Sequence, residues 1–192
     1  MWPEVLVVGS HNPGKIREWR SLLHGRVETL LDAPSLDLPE PLEPSPSFFD
    51  NALGKALAYA ESSGHPTLAE DAGLCVHALA DEPGVTTKRH ATLHGGWDEA
   101  ARHLLRQVGR DASPATYVCA VAVAWPDGRW VCVGGEARGH LVAPRGEGPG
   151  HTPSFRPQGE ERTWAELGEA WRAAHDHRAE AFAFLCDKLD EP

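Results

Sequence analysis

The chain has 192 residues, 41% of them hydrophobic, with 18 Lys+Arg against 28 Asp+Glu and a formal net charge of -10. That length suits one domain, or one domain with two lobes, and provides for a sizeable core. The acidic balance excludes a basic, sequence-independent surface for a nucleic-acid polymer, while leaving room for a local cationic pocket around a phosphorylated small molecule.

Met1-Trp2-Pro3-Glu4 lacks a basic leader and the apolar run behind it is short, so neither a signal peptide nor a membrane span is expected. Val5 to Gly9 is a continuous apolar run, the pattern of a strand buried on both faces. Ser10-His11-Asn12-Pro13-Gly14-Lys15 reads as a loop. Ile16 to Leu23 reads as a helix with Ile16, Trp19, Leu22 and Leu23 on one face. Strand, polar glycine loop and helix together suit a phosphate, because backbone N–H groups at the helix start point at the anion and Lys15 adds a full charge. The Walker pattern is absent.

Val27 to Leu31 reads as a short second strand. From Asp32 to Pro46 the chain is acidic and proline-rich, hence a surface loop in which Glu40 and Glu43 are either solvated or within reach of a metal. Ser47 is a good N-cap for a helix from Phe48 to Ser62, and Gly64 a natural stop. Phe49, Ala52, Leu53, Ala56, Leu57 and Ala60 form its apolar stripe. Asn51 and Lys55, four apart, share another face.

Pro66 to Ala69 reads as a short buried strand ending in two adjacent acids, Glu70 and Asp71. Ala72-Gly73 is expected to turn the chain into a second apolar segment, Leu74 to Leu79. Two neighbouring carboxylates repel unless something positive lies near, and hard oxygen ligands favour Mg2+. A solvated acidic turn is the alternative. Asp81 to Gly84 is a turn, and Lys88-Arg89 a small basic spot. His90 and His94 have ligand spacing, yet Gly95-Gly96 follow at once and the sequence shows no third ligand for zinc. Trp97 to Val108 is an amphipathic helix. Ala115 to Trp125 and Arg129 to Val133 read as a hairpin, and Gly139 to Val142 as a further strand. Pro144 to Gly150 is a glycine-proline loop, and Thr163 opens a short helix. Asp176 N-caps the last helix, His177 to Leu189, placing His177 and Arg178 in a first turn where the helix dipole disfavours cations. The four cysteines, Cys75, Cys119, Cys132 and Cys186, form no CxxC and read as free thiols, fitting a reducing cytoplasm.

The order of these motifs resembles the inosine triphosphate pyrophosphatase family over nearly the whole chain. Ser10 to Glu18 is similar to the family's T-G-N-x-G-K-x-x-E, Phe48 to Ala56 to F-x-E-N-A-x-x-K-A, and Ala69 to Leu74 to A-D-D-S-G-L. Pro83 to Ala91 is similar to P-G-x-x-S-A-R-Y-A, Pro144-Arg145-Gly146 to P-R-G, Thr163 to Leu167 to T-x-A-E-L, and Asp176-His177-Arg178 to S-H-R. The resemblance implies an α/β fold with a long mixed central sheet flanked by helices, a single domain spanning 1-192 with two lobes and a cleft between them, and a cytoplasmic homodimer. It implies hydrolysis of a nucleoside triphosphate to the monophosphate and pyrophosphate with Mg2+, or Mn2+.

Carried over by position, Asn12, Lys15 and Lys55 hold the triphosphate, with Ser10, His11, Asn51 and Ala72 in the same motifs. Asp71 binds metal or acts as base, and Glu70 with either Glu40 or Glu43 completes the metal site. Arg89, His151, Arg172, His177 and Arg178 fall where the substrate is bound, the last two edging the base. The departures concentrate at the base. The family's G-F-G-Y-D-P is Gly148-Pro149-Gly150-His151-Thr152-Pro153, without its two aromatic rings or its Asp, and Glu70 and Ala72 replace an Asp and a Ser. An active pyrophosphatase with altered base choice is therefore expected; the alternatives are a degenerate nucleotide-binding protein without activity, and an enzyme for another phosphorylated substrate.

Overall fold

The computed structural model describes residues 1–191. Strand β1 (Val5–Val8) leads into helix α1 (Pro13–Leu22), then β2 (Thr29–Asp32), α2 (Phe48–Ser63) and β3 (Thr67–Val76). Helices α3 (Thr87–Leu93) and α4 (Trp97–Val108) precede the long strands β4 (Ala112–Ala124) and β5 (Trp130–Val142). The chain closes with β6 (Phe155–Pro157), α5 (Trp164–Leu167), α6 (Glu169–His175) and α7 (His177–Asp190). The strands form one sheet in the order β2-β1-β3-β4-β5-β6. β1 runs parallel to both β2 and β3, and β6 antiparallel to β5, so the sheet is mixed as expected.

The chain divides into two compact units. Unit 1 holds Met1–Asp71, Cys119–Gly135 and the chain from Glu180; unit 2 holds Ala72–Val118 and Glu136–Ala179. Each has its own core. In unit 1, Ala52, Ala56 and Ala60 of α2 pack on Ala69, Ala120, Ala122 and Ala124 of the sheet. The helical spacing of four meets the strand spacing of two, and methyl-sized side chains bring helix and sheet close together. In unit 2, Leu74, Leu104, Leu141, Phe155 and Trp164 form a larger-residue core, into which the amphipathic α4 sinks Ala101, Leu104 and Leu105.

Local rules place most boundaries. Ser47 caps α2 by accepting from the Asp50 N–H, and Gly64 ends it at φ 69. Thr163 and Glu166 form a reciprocal capping box on α5. Asp176 caps α7, its Oδ1 accepting from the N–H groups of Arg178 and Ala179 at 3.0 Å each.

Several expectations need correction. The turn expected at Ala72-Gly73 does not exist: β3 runs unbroken from Thr67 to Val76. Small residues sustain an extended chain as readily as a turn, and the left-handed residues that reverse it come later, at Ala80 (φ 53) and Asp81 (φ 65). The strands expected at 129–133 and 139–142 are one strand, β5. Gly134 inside it is a point of close approach rather than a break, since a Cβ there would lie 2.5 Å from the Phe49 ring. That ring is 46% exposed, lying over Gly134 and outside the buried stripe assigned to it. Helix α1 starts at Pro13, since Asn12 caps it and proline suits its first position. α3, α6 and β6 had no sequence expectation; each is only three to seven residues long, too short for a periodic signal.

Candidate active site

Unit 1 assembles its polar residues around the middle of β3. Successive side chains of a strand point to opposite faces, so Glu70 turns towards α1 and Asp71 towards α2. Both are buried, at 3% and 5% exposure. Glu70 Oε2 accepts from Trp19 Nε1 at 2.5 Å, and its Oε1 lies 3.1 Å from Lys15 Nζ. Asp71 Oδ2 accepts from Asn51 Nδ2 at 3.0 Å. Asn51 is itself fixed, donating to the Ser45 carbonyl and accepting from the Ser45 N–H, both at 3.0 Å.

The two lysines converge on this centre from different helices. Lys15, in the first turn of α1, pairs with Glu70. Lys55 of α2 is buried, donates to the Glu70 carbonyl oxygen at 2.7 Å and pairs with Glu43. Burial pushes the Asp71 carboxyl above its ordinary pKa; Lys55, the Asn51 hydrogen bond and Lys15 oppose the shift, and the Glu43 charge adds to it. A buried acid raised in this way is a group whose charge responds strongly to any cation brought near.

The loop before β1's partner helix is equally defined. Asn12 Oδ1 accepts from the N–H groups of Gly14 and Lys15 at 2.9 and 3.4 Å, and Ser10 Oγ accepts from the Asn12 N–H at 3.1 Å. His11 Nδ1 lies 3.1 Å from the Tyr59 hydroxyl. Burial together with the charges of Glu40 and Glu43 raises the Tyr59 phenol to about 12, which places both loop acids in the neighbourhood of that ring. Both acids are exposed and act on Tyr59, but of the two only Glu43 pairs with Lys55 and perturbs Asp71.

These acids suit a hard divalent ion that keeps part of its water shell. Among the described residues, Glu43, Glu70 and Asp71 do not close into a three-ligand cage. Mg2+ requires no such cage, since it binds through one or two carboxylates and completes its sphere with water and substrate phosphates. Two buried, adjacent carboxylates neutralised by lysines supply that chemistry.

The remaining expected residues lie in unit 2. Ala72 is half-buried and Arg89 is exposed on α3. His177 and Arg178, in the first turn of α7, are buried at 5% and 8% exposure. The His177 ring stacks on Trp164 (5.4 Å, 22°) and tilts against Tyr117 (4.6 Å). Arg172 Nε is 3.8 Å from Asp176 Oδ2. His151 is 1% exposed, its Nδ1 3.1 Å from Ser154 Oγ and its ring edge-on to Trp97, so it offers no open face for stacking. Burial, then the nearby His90, lowers the His151 pKa to about 4.

Trp19 was read as a packing residue, Ser45 fell in the expected surface loop and Tyr59 had no expectation, yet they hold Glu70, Asn51 and His11. Only Trp19 left a trace in the sequence, standing four residues from Lys15 on the same helical face. His90 and His94 also need correction, because α4 brings a third imidazole, His103, beside them. Burial and the neighbouring imidazoles hold His90 below the ordinary histidine pKa. Burial, His94 and Arg106 do the same for His103.

A model of the Ham1 family matches residues 6–188. The chain is 44% identical over 189 residues to a dITP/XTP pyrophosphatase of Gluconobacter oxydans, covering 96% of this chain and 91% of that one. It is 43% identical over 188 residues to a dITP/XTP pyrophosphatase of Rhodospirillum centenum, covering 95% and 93%. Among solved structures, a HAM1 protein from Coxiella burnetii superposes with a TM-score of 0.85 at 28% identity, covering 100% of both chains. A nucleoside-triphosphatase / dITP/XTP pyrophosphatase from Mycobacterium abscessus superposes with a TM-score of 0.74 at 37% identity, covering 94% of this chain and 97% of that one.

Proposed function

The chain belongs to the Ham1 family and is a hydrolase of triphosphate anhydride bonds, and on that premise we propose that it converts non-canonical purine nucleoside triphosphates, inosine and xanthosine forms among them, to the monophosphate and pyrophosphate. The observation that carries the reading is the convergence of Lys15 and Lys55 on Glu70, beside a buried Asp71 held by Asn51. Phosphoryl chemistry relies on positioning and charge neutralisation more than on covalent catalysis, and these are the groups for it.

In this mechanism the Asn12-capped first turn of α1 directs Lys15 and the positive end of its helix dipole to the polyphosphate, and Lys55 meets it from α2. Both lysines exchange an acid for a phosphate oxygen when substrate enters. Glu43 and Glu70 would hold Mg2+, which when bound would neutralise phosphate charge and favour the pyrophosphate leaving group, leaving Asp71 to act as the base. Asp71, its pKa raised, accepts the proton of the water attacking the α-phosphorus, while Asn51 fixes the direction of its carboxylate. His177 and Arg178, backed by Trp164, edge the base.

Unit 2 supports the reading of an altered base choice. Where the resemblance leads one to expect stacking aromatics, His151 is turned inward and Thr152 replaces the acid. A missing ring forfeits about 1–3 kcal/mol of stacking by analogy with single strands. A panel of inosine, xanthosine, guanosine and adenosine triphosphates, with pyrophosphate release as readout, tests both points. Hydrolysis with weakened discrimination among the bases is expected; no turnover of any triphosphate with Mg2+ or Mn2+ overturns the activity. Asp71→Asn should lower kcat/KM by at least about 100-fold, the general-base range, while Cys75→Ala leaves it nearly unchanged. Equal effects would remove Asp71 from the mechanism.

A further inference from the structure

Beyond the carboxylate centre, we propose that His90, His94 and His103 form a second metal site, one that takes a borderline transition ion of the Zn2+ class and clamps α3 to α4. Each of the three offers one ligand nitrogen, and these nitrogens all lie within 4.8 Å of one another. All three residues belong to unit 2, and all are half-buried, shielded from bulk water yet open to an entering ion.

The local fold explains how they meet. His90 and His94 are four apart, one turn of α3 and its C-cap, so they project from the same face. Gly95 (φ 79) and Gly96 (φ 121) then take backbone conformations that L side chains rarely adopt, folding α4 back against α3. That return brings His103 into ring contact with both partners: 3.8 Å between centroids to His94 and 5.6 Å to His90. The glycines that obscured the site in the sequence are what build it.

Three neutral imidazoles are a borderline-soft donor set, suited to Zn2+, Co2+, Ni2+ or Cu2+ and ill-suited to Mg2+. Four-coordinate zinc with nitrogens at 2.0–2.1 Å needs donors roughly 3.4 Å apart. The present spacing closes by ring rotation about χ2, which is broad for histidine. The buried Nδ1 of His90 makes no hydrogen bond, which for a buried polar atom is a cost that an ion would relieve, directly or by freeing the ring to turn. The fourth position stays open for water. None of these residues belongs to the phosphate-side set in unit 1.

The test uses the full chain, free of any affinity tag and stripped with chelator. One equivalent of Co2+ should give the intense visible bands of a four-coordinate ion, and Zn2+ should displace it. His94→Gln with His103→Gln should abolish the bands and weaken Zn2+ binding by more than the roughly 10–100-fold that an outer-shell loss costs. Asp71→Asn should leave both intact. Bands that survive the histidine variant and vanish in Asp71→Asn assign the ion to the carboxylates and overturn the proposal, as does the absence of any band. Should the double variant misfold, Zn2+ protection of the wild-type histidines from diethyl pyrocarbonate, read peptide by peptide, decides. Protection confined to His90, His94 and His103 supports the site, and unchanged labelling of all three rejects it.

Discussion

Single residues in unit 1 are held by one or two partners each, so their removal has readable consequences. Trp19→Phe keeps an aromatic side chain but removes the Nε1 donor to Glu70 and part of a fully buried indole. The expected cost is roughly 1–3 kcal/mol in urea unfolding, read as a lower midpoint. His151 supplies the pH dependence. It is neutral when folded, with a pKa near 4 against an ordinary 6.5, so the unfolded chain binds a proton that the folded one refuses. Stability is therefore full above pH 6.5 and falls as the pH drops towards 4, by about 3 kcal/mol for this group alone. Comparing wild type with His151→Gln by urea titration at pH 7 and pH 5 isolates the term: the wild type should lose more. A steeper loss in the variant would contradict it.

Elements are where sequence reading succeeded unevenly. The amphipathic α4 and the capped α2 were legible, because their periodicity and terminal residues agree. The acidic strand was read correctly as buried but wrongly as ending at Ala69, ahead of a turn at Ala72-Gly73. Gly73 is equally consistent with turn and strand, and only tertiary pairing decides between them. The cluster of Lys15, Asn51, Lys55, Glu70 and Asp71 was legible as a set because a motif order supported it. The bond from Trp19 to Glu70 was not, since a hydrogen bond across 51 residues leaves no local pattern beyond the position of Trp19 four residues from Lys15. Close approach makes two glycines testable at this scale. Gly9→Ala would set a methyl 2.6 Å from the buried Tyr59 ring and 2.9 Å from Thr67, and should cost about 1–3 kcal/mol while loosening His11. Gly134→Ala meets only the half-exposed Phe49 ring, which can swing aside, so its melting temperature should fall less.

At the scale of the whole molecule, the proposed carboxylate-held ion should make stability depend on cations. Removing divalent ions should abolish turnover and lower the melting temperature, and Mg2+ with a non-hydrolysable triphosphate should restore the latter by mass action, by about 2.7 kcal/mol at a hundredfold excess over Kd. A melting temperature insensitive to both would argue against a carboxylate-held ion. No helix among the described residues is long and apolar enough to cross a membrane. The residues proposed for the base side and the phosphate side also divide by unit: Glu40, Glu43, Glu70, Asp71, Lys15 and Lys55 fall in unit 1, and Arg89, His151, Arg172, His177 and Arg178 in unit 2. Each group has its own core beneath it, so a change of base preference need not disturb the phosphate grip.

An uninterrupted β3 also limits how this enzyme can be edited. Inserting one residue between positions 70 and 71 would put both carboxylates on the same side of the pleat, crowding two charges against Trp19 and leaving Asn51 facing nothing acidic. Side-chain length in this pair is adjustable, as the Glu at position 70 illustrates, but its reading frame is not.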